Sequence, residues 1–339
     1  MRFVTPEAAR RLAAECANAL SQSLQPDGRF IYRYILGQPK TNEGYYSSTR
    51  HIGAVWYLLE ADLKLGPIDG VQSAALATAG HMIEHFLVPY AGDEMLTVLD
   101  EGFARLGATG LALTTLCRLW DVTSDERYLS LAKRAAAFIV AQQQDTGDFT
   151  QVRAYPIGVV HPARDAFSAG QAILGLMYLY ERTSDDRLLD TAQKAVKFLD
   201  TANYGVRTFS HWMLYALDEL HAVSSDPSIA SYAQRIASRM LDDISYRKLG
   251  LSTPIACRAE GLLAFDRLLD KAGIEPDTPA RKTVMRHVRQ NLSAIMKFKT
   301  NAGEFVEGSN KPEVRIDFIF HPGRAFLAYA MQAGSESIS

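Results

Sequence analysis

"DERYLSLAKRAAAFIVAQQQ", residues 125–144, and "DAFSAGQAILGLMYLYE", residues 165–181, share a helical period and differ in everything else. In the first, apolar residues recur every three or four positions and the charges gather opposite them, the pattern of a helix lying on a core. In the second nearly every face is apolar, Gly and Ala are frequent, and the polar residues collect at the N-terminal end. A helix hydrophobic all round is an enclosed helix. Both kinds recur along the chain. Segments 5–24, 72–88, 185–201, 228–244 and 278–298 are amphipathic like the first; 48–64, 100–119, 209–222, 256–271 and a last one ending near Met331 are enclosed like the second.

The two kinds alternate about six times at a period of roughly 45–65 residues, and strand-like alternation is scarce. The turns repeat too. "LQPDGRF" (24–30), "QQQDTGDF" (142–149) and "KTNAGEF" (299–305) each end a helix with a Gly-containing turn and an aromatic residue. The expectation is an all-α chain folded as an (α/α)6 toroid, a barrel of alternating inner and outer helices, forming a single domain over residues 1–339. An irregular all-α domain or a solenoid is the alternative. Segments 25–47, 89–99 and 150–163 are poorly periodic and richer in Gly, Pro and Tyr. In a toroid they rise over one end, where loops on a rigid scaffold usually carry binding.

Composition narrows the function classes. With 47% hydrophobic and 22% charged residues over 339 positions, the chain can bury a large core. A net charge of −2 with both signs interspersed gives nucleic acid no electrostatic footing. Cys16, Cys117 and Cys257 are far apart and odd in number, which fits neither a disulfide framework nor a zinc ribbon. No run of about 18 apolar residues appears, so no membrane span is expected. "MRFVTPEAARRLAAECANALSQSL" carries charges at helical spacing and no apolar signal core; a cytoplasmic location is the default, with export if a leader has been removed. No nucleotide-binding glycine motif opens a helix, and no cofactor is expected. A zinc site built on Cys257 would resemble those of prenyltransferases or lanthionine cyclases, but close Cys–His or Asp-x-Cys pairs are missing, so no metal is expected. "TSDDR" (183–187) reads as a helix start with its cap, not as a diphosphate-binding cluster. Nothing fixes the oligomeric state.

The alternating helices with their "Q…DGRF" and "QQQDTGDF" turns resemble the (α/α)6 toroid superfamily: six-hairpin glycosidases, N-acylglucosamine 2-epimerases, several uronate-polysaccharide lyases and, in part, D-glucuronyl C5-epimerases. The turns also resemble those of terpenoid cyclases. The likeness covers most of the chain and is architectural. "RIDFIFH" (315–321) is similar to the Arg-x-Asp-aromatic…His segment near the end of glucuronyl C5-epimerases, with the His at a different offset; it implies a site role for Arg315, Asp317 and His321. No catalytic signature of one glycosidase family is present.

The enclosed segments keep their polar residues at one end. The first brings Tyr45, Tyr46, Arg50 and His51, and the second opens with Asp100 and Glu101, Arg105 a turn further on. The third follows "HPARD" with Asp165, the fourth begins at His211 and Trp212, the fifth holds Arg258 and Glu260, and the last brings Arg315, Asp317 and His321. In a toroid these ends share one mouth, where helix N-termini add positive charge. Arginines there suit a uronate carboxylate, and Tyr32, Tyr34, Tyr45, Tyr46, Trp56 and Trp212 offer flat faces to sugar rings. Two carboxyls serve glycoside hydrolysis, with Asp100 or Glu101 on one side and Glu260 or Asp317 on the other. Tyr or His paired with Arg serves epimerisation or β-elimination at a uronate.

The first expectation is a carbohydrate-active enzyme that hydrolyses an acidic or polar oligo- or polysaccharide. The alternatives are a uronate C5-epimerase or lyase, and a non-catalytic module binding a glycan or peptide. Each residue also has a plainer reading. Asp100 and Asp165 fit helix N-caps. Arg50 fits an ion pair between helices. His51 and His211 fit satisfied core histidines, and the aromatics fit core packing.

"EVRIDFIFHPG" (313–323) poses the same choice within one segment. Proline is favoured in a first helical turn and not in a helix interior. The expectation is therefore an extended "RIDFIF", a helix starting at Pro322, and His321 at its cap.

Overall fold

The structure is a computed structural model that describes residues 3–40, 44–224 and 226–335; part of the expected 25–47 connection, residues 41–43, lies outside it. Twelve α-helices are present among the described residues. They are α1 (Pro6–Ser21), α2 (Ser48–Leu65), α3 (Val71–His85), α4 (Leu106–Thr123), α5 (Glu126–Ala141) and α6 (Ser168–Thr183), then α7 (Asp186–Thr201), α8 (His211–Val223), α9 (Pro227–Asp242), α10 (Ser252–Lys271), α11 (Pro279–Ile295) and α12 (Ile316–Ser335). Seven short strands accompany them: β1 (Arg33–Ile35), β2 (Leu87–Pro89), β3 (Leu96–Asp100), β4 (Phe103–Arg105), β5 (Val152–Ala154), β6 (Val306–Gly308) and β7 (Lys311–Arg315). No helix is long and apolar enough to cross a membrane among the described residues.

The two expected helix types are both present. Helix α5 buries a single stripe, Tyr128, Leu129, Ala132, Ala135, Ala136, Phe138 and Ile139. Helix α4 is buried without a break from Leu106 to Cys117, and α6 from Ser168 to Leu179. Enclosed hydroxyls need partners. Thr114 and Thr115 give theirs to the carbonyls of Gly110 and Leu111 at 3.0 and 2.9 Å. Amphipathic helices start on side-chain caps: Thr5 for α1, Asp125 for α5, Asp185 for α7 and Thr278 for α11. The capping reading of "TSDDR" therefore stands.

The three repeated turns share one geometry. Isolated bridges join Leu24 to Phe30, Gln143 to Phe149 and Lys299 to Phe305, and all three phenylalanines are 0% exposed. Gly28, Gly147 and Gly303 sit at φ +82°, +97° and +84°, a region open to glycine at little cost.

Two expectations are corrected. Residues 100–105 are not the start of an enclosed helix. Asp100 pairs with Phe103 across the two-residue turn Glu101–Gly102, where φ is +49° and +80°, the hairpin geometry that an x-Gly pair supports. Helix α4 starts only at Leu106. At the other end, "RIDFIF" is not extended. Strand β7 stops at Arg315, Ile316 N–H donates to the Tyr32 carbonyl at 3.1 Å, and α12 runs from Ile316 straight through Pro322. Pro322 lacks the amide that would reach the Phe318 carbonyl. The buried Ile316, Phe318, Ile319 and Phe320 hold the helix around that gap.

By its packing the chain divides into two compact units. The first comprises Met1–Tyr46, Gly53–Gly80 and Met240–Ser339. Within it α1 packs on α12, α10 packs on α11 and α12, and a small antiparallel sheet has the order β1-β7-β6. The second comprises Ser47–Ile52 and His81–Arg239. Here α4 packs on α5 and α6, α6 on α7 and α8, and an antiparallel sheet has the order β2-β3-β4-β5.

Enclosed helices approach closely where side chains vanish. A Cβ at Gly110 would overlap the Gln171 backbone and lie 2.6 Å from Ala172 Cα, and one at Gly175 would overlap the Gly110 carbonyl. Gly110→Ala is expected to destabilise by about 1–3 kcal/mol, the usual cost of overpacking. An unchanged urea midpoint would contradict this contact.

Charge on α4 is returned by α6. Arg182 Nε donates to Asp121 Oδ1, and Arg118 Nη1 to Oδ2, both at 2.8 Å. Burial pushes the Asp121 carboxyl up, but the hydrogen bonds from Arg182 and Arg118 outweigh it and hold it below its usual 3.8. A depressed carboxylate stabilises the fold above its unfolded pKa, and that contribution is lost as pH falls through the folded value. Asp121→Asn is expected to cost about 2 kcal/mol at neutral pH, with the deficit shrinking in acid below 3.8. Denaturant titrations at several pH values would show it, and a deficit independent of pH would refute it.

Candidate active site

On α10, Cys257 and Glu260 are three residues apart and share a helix face. On α12, Asp317, His321 and Arg324 follow at steps of four and three, again one face. The helices pack together in the first unit, and these faces meet. Glu260 is 0% exposed, and an enclosed carboxylate must be paired. Two groups of α12 pair it. His321 Nδ1 lies 2.7 Å from Oε1, and Arg324 Nε donates to Oε2 at 3.1 Å. Arg324 is itself buried, its guanidinium 3.4 Å from the ring centre of Trp56 on α2.

A carboxylate can only accept, so Nδ1 of His321 donates to Glu260, and in the neutral ring the lone pair lies on Nε2. The dyad thus sets one tautomer. Cys257 lies a turn before Glu260. Burial, then the negative charges of Glu260 and Asp317, push its thiol well above the usual value, so it is no ready nucleophile. Cys117 is likewise pushed up to about 12 by burial.

At the head of α12, Arg315 grips Asp317 with two hydrogen bonds of 2.5 and 2.9 Å and lies 4.3 Å from the Phe318 ring centre. Arg315 and Asp317 are thus brought together, as are Glu260 and His321. Other candidates of this unit are placed differently. Arg258 turns to the 240–246 segment, donating to the Asp243 carbonyl at 3.0 Å and lying 4.2 Å over the Tyr246 ring. The Tyr46 hydroxyl accepts from Phe30 N–H at 3.1 Å and its ring lies 4.9 Å from that of Tyr32, while Tyr45 is exposed. Tyr34 hydrogen-bonds Glu304, which also pairs with Lys40 at 3.3 Å.

The second unit holds the remaining candidates. Asp100, at the end of β3, accepts from Ser48 Oγ at 3.0 Å, and Glu101 is exposed at the hairpin tip. Arg105 lies 5.1 Å over the Phe103 ring. Asp165 accepts from the backbone amides of Phe167 and Ser168 at 2.7 and 2.6 Å and from the Ser168 hydroxyl, so it braces the turn leading into α6, whose N-cap position is Phe167. His211 and Trp212 open α8 as a buried aromatic pair with ring centres 4.8 Å apart, beside Phe167 and Tyr215. His51 is fully buried, 5.4 Å from His81 and 5.1 Å edge-on to Phe86. Arg50 is half-buried in the first turn of α2.

Sequence reading missed Arg324 as a member of the site. Its spacing from Asp317 and His321 is that of one helix face, a signal hidden by starting the helix at Pro322. Cys257 stands at i−3 from Glu260, and its convergence with His321 depends on packing.

The sequence matches no protein-family profile and no curated protein. In three dimensions the chain is similar to several solved enzymes. An inactive variant of the α-1,6-mannanase of Salegentibacter, in complex with α-1,6-mannotetrose, shares 13% identity over 95% of this chain and 99% of its own, with a TM-score of 0.70. Cellobiose 2-epimerase from Bacillus thermoamylovorans shares 10% identity over 97% of this chain and 100% of its own, at 0.73. A D-mannose isomerase shares 12% over 95% and 97%, also at 0.73. At such identities the likeness establishes fold alone: the chain is an (α/α)6 toroid of alternating inner and outer helices.

Replacing Glu260 by Gln leaves Arg324 buried beside a neutral amide. Glu260→Gln is expected to lower folding stability by about 3 kcal/mol, the scale for breaking a buried ion pair. A loss under about 1 kcal/mol in chemical denaturation would mean that the Glu260 charge is not what holds Arg324.

Proposed function

We propose that this chain is a carbohydrate-active enzyme that moves a proton at a sugar carbon next to a carbonyl, as an epimerase or aldose–ketose isomerase does, with His321 as the proton-transferring group. The observation that carries this reading is the 2.7 Å bond from His321 to the enclosed Glu260, whose other oxygen takes Arg324. A carboxylate fixed in this way orients the imidazole and stabilises the imidazolium that forms when Nε2 accepts a proton. Arg324, held on Trp56, gives the carboxylate a fixed positive partner on its other oxygen.

Hydrolysis by paired carboxylates has less support in these side chains. A glycosidase needs one carboxyl that holds a proton for the leaving group. Glu260 and Asp317 each face an arginine where that proton would sit. Solved neighbours of this fold include a mannanase, an epimerase and an isomerase. The fold is open to both chemistries, and the choice rests on the dyad.

The test is incubation in deuterated water with a panel of reducing mono- and disaccharides, neutral and uronic. Deuterium is expected at the carbon beside the carbonyl, together with an epimer or ketose. His321→Gln should slow this by roughly 10²–10⁴-fold, the contribution usual for a positioned acid–base group. New reducing ends from an oligosaccharide, with no carbon-bound deuterium, would overturn the proposal in favour of hydrolysis.

A further inference from the structure

We infer that Cys257, Glu260 and His321 form a binding site for a soft divalent cation, zinc by its donor set, and that occupancy switches the proton-transfer dyad off. The thiol, carboxylate and imidazole ligand atoms of these residues lie within 4.8 Å of one another. Sulfur, nitrogen and one oxygen is a combination that zinc accepts, whereas magnesium and calcium require oxygen shells. Around a bound zinc, at roughly 2.0–2.3 Å from each donor, the donors stand roughly 3.3–3.8 Å apart. Closing from the present spacing takes a side-chain adjustment of about an ångström, on two helices that already pack together.

The surroundings favour capture. Cys257 and Glu260 share one face of α10, so their spacing is set by the helix itself. Glu260 is wholly enclosed, and Cys257 is less so. A cation taking Oε1 and Nδ1 replaces the hydrogen bond between His321 and Glu260. The Arg324 bond to Oε2 can persist and orient the carboxylate from behind, as outer-shell partners of metal ligands do. With the metal on Nδ1, the neutral ring carries its proton on Nε2, which can then no longer accept one, so binding and turnover exclude each other.

Binding stands apart from the proposed function; only the inhibition rests on it. The experiment is titration of the metal-free full chain with Co²⁺ and Zn²⁺, followed by absorbance and calorimetry. One equivalent per chain is expected, with a thiolate-to-cobalt charge-transfer band in the near ultraviolet that zinc abolishes. Cys257→Ser should remove the band and weaken zinc at least about tenfold, the scale of losing one ligand or its support. Cys16→Ser, which alters a buried thiol elsewhere in the first unit, should leave both unchanged. No thiolate band in the wild-type chain, or zinc affinity indifferent to Cys257→Ser, overturns the site without reference to any catalytic assay. Stoichiometric zinc that leaves deuterium exchange running overturns the switch and spares the metal site. Zinc binding in a chain that exchanges no deuterium on any sugar points to failure of the catalytic reading instead.

Discussion

Glu260 lies on a helix with scarcely any face in water, and its carboxylate survives there because α12 returns a guanidinium and an imidazole to it. That pairing sets the register of α12 against α10. His321 must reach one oxygen and Arg324 the other, three residues and about one turn later. Trp56 then closes the back of Arg324 and ties α2 into the same arrangement. Moving α12 by one residue would swing both groups away and leave an enclosed charge alone, a cost of several kcal/mol.

The same constraint explains the composition of the enclosed helices. With no solvent to satisfy them, their hydroxyls bond backward along the helix, as Thr114 and Thr115 do, and their charges are matched by neighbours, as Asp121 is by Arg182. Close approach requires small residues at the crossing points. Gly110 meets the backbone of α6, and Gly323 meets the ring of Tyr57. Gly323 stands two residues past His321, so the small residue that lets α12 approach α2 also brings the dyad to its place.

An (α/α)6 toroid houses glycan hydrolysis in some proteins and sugar epimerisation or isomerisation in others, so architecture leaves the reaction open. The decision falls to a few polar side chains in an apolar setting. Here the informative feature is which of them carry arginines. A carboxylate bonded to a guanidinium is a fixed charge, and an imidazole bonded to that carboxylate has a set tautomer. The cysteine beside them adds the one soft donor that makes the group attractive to zinc.

The sequence by itself determined the alternation of amphipathic and enclosed helices, the three Gly–aromatic turns and the caps, because each follows from periodicity or from backbone chemistry confined to a few neighbouring residues. It did not reveal the hairpin at 100–105, whose strands are too short to show alternation, or the start of α12, where Pro322 outweighed the local pattern. Proline's preference for a first turn is a local rule, and it yielded to the burial of Phe318, Ile319 and Phe320 around the missing hydrogen bond. Only the tertiary structure decided that Arg324 and Cys257 belong beside Glu260 and His321 and that Arg258 turns toward Tyr246. Residues some sixty positions apart become neighbours through helix packing, and no spacing along the chain records which carboxylate a given cation will reach.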